Sequence, residues 1–171
     1  MKRIFITNGV GGSGKDTFAE LLNEIVPVYK YSSIDKVKEI ARQCGWTGGK
    51  TERDRKFLSD LKLLTTEYSD LSYNYVDAHV HNFLADYETR WQVMLIDIRE
   101  PEEIEKAKQA FKAETILIEN PRVPDILSNM ADANVRNYDY DYVIHNDGTL
   151  EDFKRTIQAW AAEVLNVPSE M

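Results

Sequence analysis

Gly9-Val10-Gly11-Gly12-Ser13-Gly14-Lys15-Asp16-Thr17 follows a short apolar run, Arg3–Thr7, and precedes apolar residues at helical spacing. Glycines let a backbone wrap closely and aim its N–H groups at phosphate oxygens. The start of the following helix adds partial positive charge. Gly9, four residues, then Gly14-Lys15 is the Walker spacing, in which the lysine reaches the β- and γ-phosphates of a nucleotide as a point charge.

The same residues also satisfy G-x-G-x-x-G, as Gly9, Gly11 and Gly14, and Asp35 lies where the dinucleotide fingerprint wants an acid. Two features decide against that reading. Lys15 has no role in the dinucleotide motif, and a later apolar run ends in Asp97, where a P-loop protein needs an acid to organise a metal. One position departs from the Walker pattern: Asp16 stands where Ser or Thr ordinarily meets magnesium. Asp16 is expected to contact the metal, although an acid in the first turn of a helix is favourable by itself. The Thr17 hydroxyl is placed to meet the α-phosphate.

Outward from the loop, five apolar runs read as buried strands: Arg3–Thr7, Val28–Tyr31, Val93–Asp97, Thr115–Ile118 and Tyr142–His145. Helical patterns separate them, which is the order of an α/β fold with a parallel five-stranded sheet. The first helix is expected from about Gly14 to Ile25. A second follows Ser33, with Val37, Ile40 and Ala41 inward. Glu52 to Tyr87 is helical, with inward stripes Phe57, Leu61, Leu64, Tyr68 and Val76, Val80, Phe83, Tyr87, and a break near Ser69–Ser72. Pro101 opens a helix containing Ile104, Ala107 and Phe111. The last helix takes Thr149 as N-cap and turns Phe153, Ile157, Trp160 and Val164 inward. The chain reads as a single domain, with a helical acceptor-binding region at about 34–90 and a short lid at about 120–139, where Pro121, Arg122, Pro124, Asn134 and Arg136 interrupt the pattern.

The chain has 171 residues, 43% of them hydrophobic and 29% charged, enough apolar material for a core without a disulfide or structural metal. Cys44 is the single cysteine, so no intrachain disulfide forms; it reads as a small buried residue, and a cytoplasmic location is expected. No apolar run suits a signal peptide or membrane span. The net charge of −8 argues against binding polymeric nucleic acid, which depends on a basic surface. A small anionic substrate needs only local cations, and Lys15, Arg53, Arg55, Lys56, Arg99, Arg122 and Arg136 are the candidates. Asp97 is a strong functional candidate, because an acid closing a buried strand is costly unless paired or metal-bound. His79 and His81 do not share a helix face, which argues against zinc. Tyr73, Tyr75, Tyr138, Tyr140 and Tyr142 read as core or cleft-lining rings.

Gly14-Lys15-Asp16 resembles the phosphate loop of deoxynucleoside monophosphate kinases of tailed phages, and also that of animal phosphomevalonate kinases. Asp141 to Glu151, with its Asn146-Asp147-Gly148 turn, and Asp97-Ile98-Arg99 resemble further segments of the phage-type kinases. The similarity runs in order along the chain, but only these three segments are specific. It implies an adenylate-kinase-like P-loop NTPase fold that uses ATP and magnesium. It also implies that Gly9, Gly11, Gly12, Ser13, Gly14, Lys15, Asp16 and Thr17 hold ATP, with Asn146, Asp147 and Gly148 beside the adenine. Lys15 would stabilise the transferred group, and Asp16 and Asp97 would organise Mg2+. Ser33, Asp35, Arg55, Lys56 and Arg99 would hold the acceptor, and Arg122 and Arg136 would arrive from the lid.

The expected activity is ATP-dependent phosphoryl transfer to a nucleoside monophosphate, possibly a deoxy one, by a monomer or homodimer. Alternatives are a kinase of another phosphorylated metabolite, such as phosphomevalonate or dephospho-coenzyme A, and a nucleotide-binding regulator without fast turnover. A guanine-reading switch would carry Asn-Lys-x-Asp, and Asn146-Asp147-Gly148 lacks the lysine.

Overall fold

The apolar runs form one parallel sheet in a computed structural model that describes residues 2–88, 90–123 and 134–167. The strands are β1 (Arg3–Asn8), β2 (Val28–Ser32), β3 (Val93–Asp97), β4 (Glu114–Glu119) and β5 (Tyr142–His145), in spatial order β2-β3-β1-β4-β5. β1 is central and β3 and β4 flank it, so their side chains are buried on both faces, as their near-continuous apolar sequences require. The helices among the described residues are α1 (Lys15–Asn23), α2 (Asp35–Gln43), α3 (Glu52–Ser69), α4 (Leu71–Ala85), α5 (Pro101–Phe111) and α6 (Leu150–Leu165).

Strand alternation splits the core. Phe5, Leu95, Ile116 and Ile118 point to one face and are covered by Phe18 and Leu22 of α1 and Phe153, Ile157 and Trp160 of α6. Ile4, Ile6, Met94 and Ile96 point to the other, under Val76, Val80 and Phe83 of α4 and Ile104 and Ala107 of α5. Each large side chain so buried contributes about 1.5–3 kcal/mol. The two layers fix the sheet, and its C-terminal edge carries the loops that follow β1, β2 and β3. Among the described residues, no helix is long and apolar enough to cross a membrane.

Several expectations need correction. Leu64 and Tyr68 do not face inward: they are 64% and 90% exposed, and α3 has no buried residue. α3 stands beyond the sheet against α2 and α4, which leave Phe57 and Leu61 half-buried and the later part of the stripe uncovered. Tyr87 lies past the end of α4 and is exposed. Cys44 caps the C-terminus of α2 and is exposed, not buried. The break between the two long helices falls inside the expected Ser69–Ser72 span, at Asp70, whose φ of 51° closes α3 and opens α4. Its carboxylate makes no cap and pairs with Lys106 of α5. α1 is shorter than its apolar pattern, because Ile25 N–H turns back to the Leu22 carbonyl. Of the expected lid, residues 124–133 lie outside the described residues.

Tyr29 and Tyr31 leave the opposite side of β2 from Lys30 and pack on His79 of α4. Tyr31 stacks on the imidazole at 3.8 Å between centroids, and the Tyr29 hydroxyl is hydrogen-bonded to Nδ1. Burial pushes the His79 pKa below its ordinary value, against an opposing pull from Asp35. A base so depressed is neutral in both states at high pH, and stability is then complete. As pH falls through the unfolded value of 6.5, the unfolded chain takes its proton first and stability drops until the folded pKa is passed. Urea midpoints measured between pH 8 and pH 5 should therefore fall on acidification, and His79→Phe should flatten that fall. An unchanged slope in the variant would remove His79 as its cause.

Candidate active site

β1 delivers the chain into the Gly-rich loop, and Asn8 fixes the exit. Asn8 is fully buried; its Oδ1 accepts from Gly9 N–H at 2.8 Å, and its Nδ2 donates to the Arg99 carbonyl at 3.1 Å and to the Tyr140 hydroxyl at 2.8 Å. Burial raises the Tyr140 pKa to about 12, so the phenol stays protonated and donates to the Val135 carbonyl at 2.7 Å. The other end of the loop is held by Asn146, whose Nδ2 donates to the Ser13 carbonyl at 3.0 Å and whose N–H reaches the Glu119 carbonyl at 2.7 Å. Two glycines make this closeness possible. A Cβ on Gly9 would lie 2.6 Å from the Ile118 carbonyl oxygen, and one on Gly14 would lie 2.6 Å from Asn146 Nδ2.

The loop presents the start of α1 uncovered. Gly14 is its N-cap and no side chain caps it, so the first-turn N–H groups lack intrahelical acceptors and face the loop. The Lys15 ammonium folds back onto the Gly9 and Val10 carbonyls. Ser13 is fully buried and its hydroxyl has no hydrogen-bond partner among the described residues. Together these are the fittings of an anion cradle: backbone donors, a helix start and one cation. Thr17 is half-buried in the first turn of α1, Gly11 is half-buried and Gly12 is exposed.

Beside the cradle the two acids of interest come together, joined by a residue the sequence reading passed over. Lys30 of β2 pairs with Asp16 and also lies 3.2 Å from Asp97 Oδ2, while Asp97 Oδ1 accepts from the Thr7 hydroxyl. The Lys30 hydrogen bond is the main force holding the Asp16 carboxyl below the usual carboxylate range. Burial pulls the Lys30 pKa down, but the carboxylates of Asp97 and Asp16 outweigh it and leave it raised. Two carboxylate oxygens converging on one cation are a donor set for a hard divalent ion, which takes one or two carboxylates and completes its shell with phosphate and water. Asp16 and Asp97 thus form a donor pair that fits magnesium, which when bound would neutralise negative charge beside the cradle. The sequence did carry a signal for Lys30: Tyr29-Lys30-Tyr31 alternates a lysine with two aromatic residues, so the lysine faces away from the layer that covers the rings.

A cavity of about 370 Å3 opens at the ends of β2 and β3, lined by Ser33, Ile98, Thr66, Ser72, Tyr73 and Glu102 among others. Ser33 therefore stands at the cavity. Asp35 is exposed at the start of α2, where it accepts from Ser32 N–H at 3.0 Å. Arg55 and Lys56 are exposed on α3, away from the cavity lining, and Lys56 pairs with Asp60 at 2.5 Å. Arg99 directly follows Ile98 and is half-buried. Arg122 donates to the Asn146 carbonyl at 3.2 Å, and Arg136 lies 3.9 Å from Glu119, which places both beside the β4–β5 side of the loop. Asp147 is exposed; Gly148 precedes a capping box in which Thr149 and Asp152 exchange hydrogen bonds.

No protein-family model matches the chain. No curated protein matches it either. Solved structures do. A protein from Chloroflexus aurantiacus, provisionally assigned as a kinase, shares 13% identity over 98% of this chain and 98% of its own, with a TM-score of 0.53. The tunicamycin resistance protein of Deinococcus radiodurans shares 12% identity over 96% of each chain, with a TM-score of 0.52. A dephospho-CoA kinase from Campylobacter jejuni shares 16% over 95% of this chain and 97% of its own, at a TM-score of 0.48. With the strand order and the loop, the two likenesses above a TM-score of 0.5 identify the fold as an α/β P-loop fold.

Gly14 offers a direct test of the loop brace. Gly14 and Gly45 both have left-handed φ, 106° and 98°, but a Cβ on Gly45 meets nothing within 4 Å. Gly45→Ala should cost about 1–2 kcal/mol of urea stability from backbone strain and leave ATP binding intact. Gly14→Ala should cost more and weaken ATP binding about tenfold or more by displacing Asn146 and reshaping the cradle. Equal losses and equal ATP affinities in calorimetry would dissociate Asn146 from loop shape.

Proposed function

We propose that this chain transfers the γ-phosphoryl group of ATP to a small phosphorylated acceptor, and that the acceptor is a nucleoside monophosphate. The observation that carries this reading is the arrangement along one sheet edge. The anion cradle follows β1, the acceptor-sized cavity lies at the ends of β3 and β2, and Asp97 closes the strand between them. Donor and acceptor sites on adjacent strands bring two substrates to one point, which is most of what phosphoryl transfer asks of a protein.

The roles follow from position. The cradle N–H groups and Lys15 hold the β- and γ-phosphates. Asp16 and Asp97 hold the magnesium. Arg99, next to the cavity wall, together with Arg122 and Arg136 on the other flank, supplies cations from separate segments. Arg55 and Lys56 are assigned to the acceptor phosphate through their likeness to a basic pair in phage-type kinases; this requires α3 to swing over the cavity mouth. The cavity is lined by Glu102, by Glu103 paired with Lys62 and by Asp70 paired with Lys106, and by two buried hydroxyls, Thr66 and Ser72, that have no hydrogen-bond partner among the described residues. Its acids are largely compensated by these ion pairs, and the two hydroxyls suit an uncharged polar group. The acceptor therefore enters with its base in the cavity and its phosphate toward Lys15. Domain organisation follows the same division, with residues about 34–90 serving the acceptor and about 120–139 closing over ATP.

A coupled ADP-release screen over ribo- and deoxyribonucleoside monophosphates, with phosphomevalonate and dephospho-coenzyme A included, tests the reading. Turnover with a nucleoside monophosphate is expected, and Lys15→Met should reduce it about a hundredfold or more without changing the melting temperature. Turnover only with the other metabolites, or none at all, would overturn the assignment.

Ser72→Ala separates ligand binding from folding. Removing a buried hydroxyl that has no partner is neutral or stabilising for the fold. The variant should melt no lower than the parent yet raise the acceptor KM about threefold or more, leaving the ATP KM unchanged. A lower melting point with an unchanged KM would assign the hydroxyl to folding.

A further inference from the structure

The Lys30 ammonium lies between Asp16 and Asp97, on the side of β2 that faces α1. Pleating explains how it gets there. Tyr29 and Tyr31 turn to the α4 face, so Val28, Lys30 and Ser32 turn to the α1 face, and Lys30 projects toward the first turn of α1. Its side chain is 29% exposed, less than a solvated edge-strand lysine would be, and it meets one carboxylate from each of two neighbouring elements. We infer that Lys30 is a tethered counter-ion that holds the place of the divalent metal, so that metal enters this site only in company with nucleotide phosphates. The inference rests on the proposed magnesium role of Asp16 and Asp97.

The physical argument is a competition between cations. Asp97 is largely buried and Asp16 is exposed beside it, and two neighbouring carboxylates favour a cation between them. An ammonium already attached to the fold competes at a high effective concentration and loses little hydration, whereas Mg2+ must shed water for only two oxygen ligands. Nucleotide changes the balance. Its β- and γ-phosphates bring several further negative oxygens to the same spot, where a divalent ion gains more than a single ammonium can. Metal and nucleotide then bind as a pair. Lys30 gives up Asp16, and Asp97, anchored by the Thr7 hydroxyl, is shared between the ammonium and the metal. The cradle's empty and loaded states would thus differ in the partner of one lysine.

Mn2+ binding to the nucleotide-free protein, read by electron paramagnetic resonance, tests this without any turnover. The parent should bind Mn2+ weakly. Lys30→Met keeps the length of the stem and removes the charge, and it should bind Mn2+ about tenfold or more tighter. Adding Asp16→Asn to that variant should abolish the gain. Mn2+ binding by Lys30→Met no tighter than by the parent, with both proteins showing the same melting behaviour, would overturn the inference. If Lys30→Met is poorly folded, Lys30→Gln carries the same comparison. A gain that survives Asp16→Asn would also overturn it, by placing the metal elsewhere. Calorimetric titration of ATP with Mg2+ present reports separately on the cradle: no binding to the parent would count against the kinase reading and leave the Mn2+ result standing.

Discussion

Asn8 and Asn146 clamp the two ends of the Gly-rich loop, and the geometry of the whole site depends on that clamp. Each asparagine ties the loop to a different part of the fold. Asn8 links it to Arg99 after β3 and to Tyr140, and Asn146 links it to the end of β4. A loop of this composition has high conformational entropy when free, so its shape must be imposed by neighbours. Side-chain amides, one buried and one half-buried here, do this well because each can serve as donor and acceptor at once. The cost falls on Gly9 and Gly14, where no side chain can be tolerated.

Much of the fold was legible because its signals are local. Buried strands of a parallel sheet read as short continuous apolar runs, and all five were found to within a residue or so at their ends. The phosphate loop was legible for the same reason: spacing and composition define it. The errors share a different cause. Leu64 and Tyr68 sit at helical spacing, and spacing says which residues share a face but nothing about whether another layer covers that face. Cys44 was judged by residue type, and the C-cap of a short helix at the molecular edge overrides type. Lys30 and Asn8 were missed because their meaning is entirely tertiary. A lysine in an edge strand ordinarily protects that edge from pairing; only the packing of β2 against α1 turns this one toward two acids.

Charge distribution separates the loop from the cavity. The chain as a whole is acidic, with a net charge of −8, yet cations gather beside the loop on three separate segments, at Lys15, Lys30 and Arg122. The cavity next door is instead edged by Asp70, Glu102 and Glu103, of which Asp70 and Glu103 are neutralised by Lys106 and Lys62. Low-dielectric walls focus such contrasts, so an anionic group is favoured beside the loop over the cavity.

The distribution of unsatisfied groups reinforces this division. Four buried side-chain atoms lack hydrogen-bond partners among the described residues: Ser13 Oγ, Thr66 Oγ1, Ser72 Oγ and Trp160 Nε1. Leaving such a group unpaired costs about 1–3 kcal/mol, so native folds keep few of them. Trp160 belongs to the core, where its ring packs edge-on against Phe5 and Phe18, and the buried aromatic area offsets its lone N–H. The three hydroxyls have no comparable offset, since a Ser or Thr contributes little apolar area. One lies in the phosphate loop and two line the cavity. An apolar residue of similar size at each position would make a more stable empty fold. Retaining hydroxyls there is understandable if a bound molecule completes their hydrogen bonds, and the stability forgone in the empty protein then reappears as affinity for that molecule.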